Sequence, residues 1–226
     1  MPLFKRWTTS GGGSWGIWKV TESFEELRGV LSAALPYEQD LQAMKSPSRR
    51  LEYVAVRVLL KELLGKECHI LHYSSGKPFL ENESLKVTIS HTKGYVAVGV
   101  HPQQEVGIDI EQRTERVYKV RSRFIREDEL VGEATASKEE RLSLLLLHWS
   151  AKETVYKLIK KAEFDFLKHL RIIDFPLSVT KLPLSAAGSF VTEEYRTPER
   201  TRFSVAYWVH TDFVCTWSTT PEAGLS

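Results

Sequence analysis

Two short segments carry the residue types that could act on a phosphate. V-G-I-D-I-E runs from Val106 to Glu111, and W-S-A-K-E-T-V-Y-K runs from Trp149 to Lys157. Between them they offer the carboxylates of Asp109, Glu111 and Glu153 and the ammonium of Lys157, a set that can converge on one divalent metal and one phosphate. In the first segment Val106, Ile108 and Ile110 alternate with Gly107, Asp109 and Glu111, the period-2 pattern of a strand with one buried face. Asp109 and Glu111 therefore point the same way. Two anions at neighbouring same-face positions repel each other unless a cation or a network compensates. In the second segment Trp149, Lys152, Glu153, Tyr156, Lys157 and Lys160 recur at helical spacing, so Glu153 and Lys157 share a ridge one turn apart.

Each signal also has an ordinary reading. An Asp-x-Glu pair is common on a solvated strand face, and a Glu-to-Lys pair at i,i+4 is routine helix support worth about 0.3 kcal/mol. The surroundings weigh against both. Asp109 and Glu111 are embedded in an otherwise apolar run, and the helix carrying Glu153 follows Leu144 to Leu147, so both segments are expected to lie against core.

Those segments need a scaffold, and the composition is that of a globular one. At 226 residues, 42% hydrophobic and 27% charged, the chain can bury a full core as one large domain or two small ones. A formal net charge of +2 argues against a general nucleic-acid binder, which gathers a basic excess on one face. Cys68 and Cys215 stand far apart with no C-x-x-C spacing and no nearby histidine set for zinc; reduced, partly buried thiols are expected. The opening M-P-L-F-K-R-W-T-T-S has no apolar core of a leader, and no run approaches the roughly eighteen residues of a membrane span. No membrane partner is expected, and a cytoplasmic location follows by default.

Along the chain, Gly11 to Gly13 mark a turn and W-G-I-W-K-V (Trp15 to Val20) a strand. Thr21 to Leu35 reads as a short amphipathic helix. From Ser46, with Pro47 near its start, apolar residues keep helical spacing as far as Gly65, a plausible C-cap. His69 to Tyr73 suggests a strand, Ser74 to Pro78 a turn, and Val87 to Val100 a hairpin turning near Lys93 and Gly94. The second half repeats the order, with a helix from Leu142 to Lys161, a strand from Leu170 to Phe175, and a hairpin of Arg202 to Val209 with Phe213 to Ser218 around Thr211 and Asp212. The polar stretch from Gln112 to Arg141 is expected to form helices and loops. The fold class is therefore α+β, with two similar halves, 1–104 and 105–226, each a long helix packed on a small, mostly antiparallel sheet. A pseudo-twofold axis would relate them and leave a cleft between them for a ligand.

Four elements in order, G-K-P (Gly76 to Pro78), I-S-H (Ile89 to His91), V-G-I-D-I-E and W-S-A-K-E-T-V-Y-K, give a resemblance. The chain resembles the 4′-phosphopantetheinyl transferases of the Sfp-like, two-halved, single-chain type, from about its first strand to its last hairpin. The resemblance implies transfer of the phosphopantetheine arm of coenzyme A to a serine of an apo acyl or peptidyl carrier protein, with release of adenosine 3′,5′-bisphosphate. It implies magnesium, with manganese as the alternative ion, held by Asp109, Glu111 and Glu153. One of these acids, or a metal-bound water that it orients, must also accept the serine proton, and Glu153 is favoured over Glu111. Lys157 would neutralise the pyrophosphate or assist the leaving group, its ordinary reading being a snorkelling surface lysine; Lys152 is expected to pair structurally.

For coenzyme A the resemblance implies Arg49 or Arg50 at the 3′-phosphate, where a helix N-terminus also presents N–H groups. It adds Arg57 in an E-Y-V-A-V-R version of the family's E-[FY]-x-A-x-R helix, where Val56 replaces a common glycine. Lys77, Pro78, Ser90, His91, Asp109 and Lys157 complete the implied contacts. The ordinary readings are solvated faces for the basic residues and a core or capping histidine for His91. The other histidines lack ligand spacing and carry no assigned role. An acidic carrier would dock on a basic or apolar rim, with Arg121 to Arg126 as the candidate, and a monomer is expected because one chain holds both halves. The rivals are a non-catalytic coenzyme A or nucleotide-binding protein, which would not need the acidic trio, and another magnesium phosphoesterase, which would not need G-K-P or I-S-H.

Overall fold

In the computed structural model, which describes residues 3–9, 11–129, 136–159, 164–175 and 186–221, the first strand lies ahead of the one read from sequence. β1 (Leu3–Thr8) pairs antiparallel with β2 (Ser14–Lys19) across the Gly11 to Gly13 turn. Helix α1 (Phe24–Val30) is shorter than the expected Thr21 to Leu35, because Ser23 and Glu26 form a reciprocal capping box and Leu31 is extended. A further short helix, α2 (Tyr37–Gln42), follows. Helix α3 (Pro47–Leu64) matches its sequence signals at both ends. The Ser46 hydroxyl accepts the Arg49 N–H, Pro47 stands at the first turn, and Gly65 closes the helix at φ 71°, donating to the Lys61 carbonyl.

β3 (Ile70–His72) and β4 (Pro78–Leu80) form a separate two-stranded ribbon, whereas β5 (Lys86–Thr92) and β6 (Tyr95–His101) are the expected hairpin, turning at Lys93 and Gly94. The four-stranded sheet runs β1-β2-β6-β5, all antiparallel. Val54, Val58, Leu59 and Leu60 of α3 are buried with Trp18, Val96 and Val98 of the sheet in one apolar cluster. This is the compact unit Met1–Gln103.

The second unit, Gln104–Ser226, opens with β7 (Val106–Gln112), followed by the short α4 (Val117–Val120) and single 3-10 turns at Arg121–Arg123 and Glu127–Glu129. Helix α5 (Lys138–Ile159) starts earlier than the expected Leu142, because Ser137 and Glu140 cap each other and draw the charged first turn into the helix. Lys160 and the expected end at Lys161 lie outside the described residues. α6 (Phe166–His169), β8 (Leu170–Asp174), β9 (Ala187–Glu194), β10 (Arg202–Val209) and β11 (Phe213–Thr219) complete the chain. The five strands run β7-β11-β10-β9-β8, all antiparallel, and α5 packs across this sheet.

Both units are thus α+β with a long helix on an antiparallel sheet, but the repeat is not identical. β8 joins its main sheet through β9, a strand absent from the sequence reading, while β3 pairs, among the described residues, only with β4.

Candidate functional site

β7 differs from the sequence expectation in one respect that governs the site. Both its faces are buried from Val106 to Ile110, not one. The face bearing Gly107, Asp109 and Glu111 is covered by α5. At Gly107 a Cβ would stand 2.3 Å from the Thr154 carbonyl oxygen, so only glycine admits the helix backbone there. That close approach brings the helix ridge of Ser150, Glu153, Thr154 and Lys157 onto the acidic positions of the strand.

Hydroxyls fix the helix on this face. The Ser150 Oγ lies 2.9 Å from the Thr216 Oγ1, the Thr154 Oγ1 lies 2.7 Å from the same atom, and Thr154 also donates to the Thr216 carbonyl. Thr216 stands directly opposite Asp109 in the β7–β11 ladder. Above this buried cluster, Lys157 Nζ donates to Asp109 Oδ1 at 2.9 Å and to the Ile108 carbonyl at 2.7 Å. The Trp149 indole N–H donates to Glu111 Oε1 at 2.7 Å. The Glu153 carboxylate makes no hydrogen bond among the described residues, and it shares with the others a common electrostatic field.

That field is unfavourable to three carboxylates. Burial first, and then the charge of Asp109, push the Glu111 carboxyl up to about 7 against an ordinary value of 4.5; its hydrogen bond from Trp149 and the Lys157 ammonium only partly offset this. The Glu153 carboxyl is likewise pushed up to about 7, by burial, by Asp109 and by Glu111. Three oxygen acids with one ammonium beside them form a donor set of the kind a hard divalent cation takes, and such a cation relieves the repulsion. Among the described residues no three His, Cys, Asp or Glu side chains already stand in a metal-holding arrangement. The residues fit such an ion by donor chemistry and charge: Asp109, Glu111 and Glu153 are the side chains that would hold it.

Lys152, adjacent to Glu153, turns to the opposite side. It is fully buried and donates to Glu129 Oε2 at 2.7 Å and to the Phe124 carbonyl at 2.6 Å, the structural pairing expected of it. His148 is buried against the Leu144 carbonyl, and desolvation pulls its pKa down to about 4, which keeps the ring neutral.

Asp109 and Lys157 apart, the residues expected at coenzyme A lie in the first unit, in differing environments. Arg49 is exposed in the first turn of α3. Arg50 sets its guanidinium 4.9 Å from the centre of the Phe24 ring. Arg57 is buried, donates to the Tyr53 carbonyl at 3.0 Å, faces Asp40 at 3.8 Å and lies over the Tyr53 ring. Burial pulls its guanidinium down to about 10. Lys77 and Pro78 are half-buried at the β3–β4 turn, where Tyr73 donates to the Lys77 carbonyl. Ser90 is buried on β5; His91, next along, is partly exposed with Nδ1 3.4 Å from Glu52 Oε2 of α3. Sequence reasoning did not single out Thr216 or Glu52, and it gave Trp149 no task; the indole one turn before Glu153 was the available signal.

Residues 105–217, half of the chain, match the family model described as the 4′-phosphopantetheinyl transferase superfamily. The span includes Asp109, Glu111, Glu153 and Lys157. No curated protein matches the chain. Members of this superfamily transfer phosphopantetheine, use coenzyme A and a metal, and act on carrier proteins. Among the described residues no helix is long and apolar enough to cross a membrane.

Proposed function

Because the chain belongs to the 4′-phosphopantetheinyl transferase superfamily, we propose that it moves the 4′-phosphopantetheine group of coenzyme A onto a serine of an apo acyl or peptidyl carrier protein. The observation that carries this reading is the convergence of Asp109 and Glu111 on β7 with Glu153 and Lys157 on α5, where three carboxylates stand beside one ammonium that is already bound to Asp109.

In this reaction the serine Oγ attacks the pantetheine-side phosphorus of the pyrophosphate. The bond from that phosphorus to the bridging oxygen breaks, and adenosine 3′,5′-bisphosphate leaves with the electron pair. Asp109, Glu111 and Glu153 would hold magnesium, with manganese as the alternative. When bound, the ion supplies positive charge to the pyrophosphate oxygens, the main requirement of phosphoryl transfer. Glu153 accepts the serine proton. Its carboxylate has no hydrogen bond from the described residues and is left to take a proton, whereas Glu111 is tied by the Trp149 indole. Lys157 meets the charge developing on the leaving oxygen.

At the nucleotide end, the exposed Arg49 is better placed than Arg50 for the 3′-phosphate, since Arg50 rests on Phe24. Lys77, Pro78, Ser90 and His91 contribute further contacts, and Arg57, held by Tyr53 and Asp40, supports helix α3, which carries Arg49. Exposed Arg116, Lys119 and Arg123 around α4 form a basic rim for an acidic carrier. The same reading makes the protein a cytoplasmic monomer.

Incubation with coenzyme A, magnesium and a panel of apo carriers, followed by intact mass, tests the proposal. One phosphopantetheine added to a carrier is expected; carriers left unmodified while coenzyme A binds uncleaved would instead make the protein a binding module. Near-normal turnover of Glu153→Gln at saturating magnesium would remove Glu153 as the base.

A further inference from the structure

Lys152 and Glu129 form an ion pair with both side chains 0% exposed. Taking two charges out of water is often no gain over apolar packing, so such a pair calls for a role besides stability. Its geometry supplies one. Glu129 Oε2 also accepts the Arg126 N–H at 2.9 Å, and its Oε1 accepts the Ile172 N–H of β8 at 2.7 Å. Lys152 Nζ reaches the Phe124 carbonyl as well. One lysine and one carboxylate therefore fasten the segment from Phe124 to Glu129 to both α5 and β8.

Phe124 heads that segment and is fully buried. Its ring meets Trp149 edge-on, with centroids 5.2 Å apart. The indole so packed donates its N–H to Glu111 Oε1, which leaves the second carboxylate oxygen for another partner. An unbroken chain of contacts thus runs from the buried pair through Phe124 and Trp149 to an acid of the site.

We infer that the Lys152–Glu129 pair is a positioning device for Glu111, acting through Phe124 and Trp149 to hold that carboxylate for a divalent cation. The inference rests on the proposed magnesium-dependent transfer. Residues one step removed from a metal ligand act by fixing its orientation, and losing one typically lowers metal affinity about 10–100-fold. Lys152 touches no reacting atom in this account; it positions.

Calorimetric titration of the full-length protein with magnesium tests this through a mutant cycle. Trp149→Phe keeps the aromatic packing and deletes the indole N–H, while Glu129→Gln with Lys152→Met removes both buried charges together. Each is expected to weaken magnesium binding about tenfold or more while cooperative melting is retained. Combined, they should be little worse than Trp149→Phe alone, because the pair acts through that indole. Unchanged magnesium affinity in the folded variants, or losses that simply multiply, would overturn the relay. If the charge-free pair fails to fold, Phe124→Leu crossed with Trp149→Phe decides by the same criterion. A wild type that binds no magnesium would sink the transfer reading and the relay with it, whereas a magnesium-binding, transfer-competent wild type with a multiplicative cycle would sink the relay alone.

Discussion

Helix α3 meets its sheet with Val54, Val58, Leu59 and Leu60, and its one buried cation, Arg57, is enclosed by Tyr53, Tyr37 and Asp40. Helix α5 meets its sheet partly with Ala151 and Val155, but the ridge facing β7 carries Ser150, Glu153, Thr154 and Lys157. The carboxylates around the two helices behave in opposite ways. Burial disfavours ionised Asp40, yet hydrogen bonds from Tyr53 and His69 outweigh it and hold the group below its ordinary value. At Glu111 and Glu153 burial wins, reinforced by Asp109. Departures from local satisfaction mark places selected for something other than stability, and here the departure falls on the β7–α5 face.

The contrast can be broken most sharply at its acids. Asp109→Asn should lower phosphopantetheine transfer on the order of 100-fold or more, since a charge that acts on the transferring group is lost. Asp40→Asn should instead leave turnover within a few-fold and lower stability by about 1–3 kcal/mol, measured by urea unfolding. The reverse pattern would refute the division of labour.

A smaller effect is expected from Gly107→Ala, which drives a methyl into the Thr154 carbonyl. Overpacking of this kind costs about 1–3 kcal/mol, and moving α5 should also reduce transfer. Stability and pH give the next test. For a carboxyl whose folded pKa is raised from 4.5 to about 7, the folded state holds more protons than the unfolded one within that window. Stability of the metal-free protein contributed by Glu111 and Glu153 is therefore full below about pH 4.5 and is lost as pH rises through 7. Asp40 contributes in the opposite sense, its stabilisation being lost on acidification below its ordinary 3.8. Added magnesium should raise the melting temperature more at pH 8 than at pH 5, and equal increments at both would contradict the assignment. The smallest effect belongs to Gly65→Ala: the left-handed φ of 71° opposes a side chain, but nothing crowds it, so a loss of about 1 kcal/mol is expected, with transfer unchanged.

The sequence exposed some of this plainly. Alternation in V-G-I-D-I-E placed Asp109 and Glu111 on one face, and capping at Ser46 and Gly65 bounded α3 because those rules are local. It did not reveal that the acidic face is itself buried, since Gly107 gains meaning only when the Thr154 carbonyl lies above it. β9 escaped notice because A-G-S-F-V-T-E-E lacks alternation, its buried Thr192, Glu193 and Glu194 being polar. The Trp149 contact with Glu111 joins residues 38 apart, a pairing that no period within one segment encodes.

The central claim meets its most direct test in the intact mass of an apo carrier incubated with coenzyme A across a magnesium titration, in parallel with wild type and Asp109→Asn. Addition of one phosphopantetheine is expected, rising with magnesium, vanishing with chelator and largely lost in Asp109→Asn. Modification that persists equally in chelator or in Asp109→Asn, or a carrier panel left unmodified at every magnesium concentration, would contradict it.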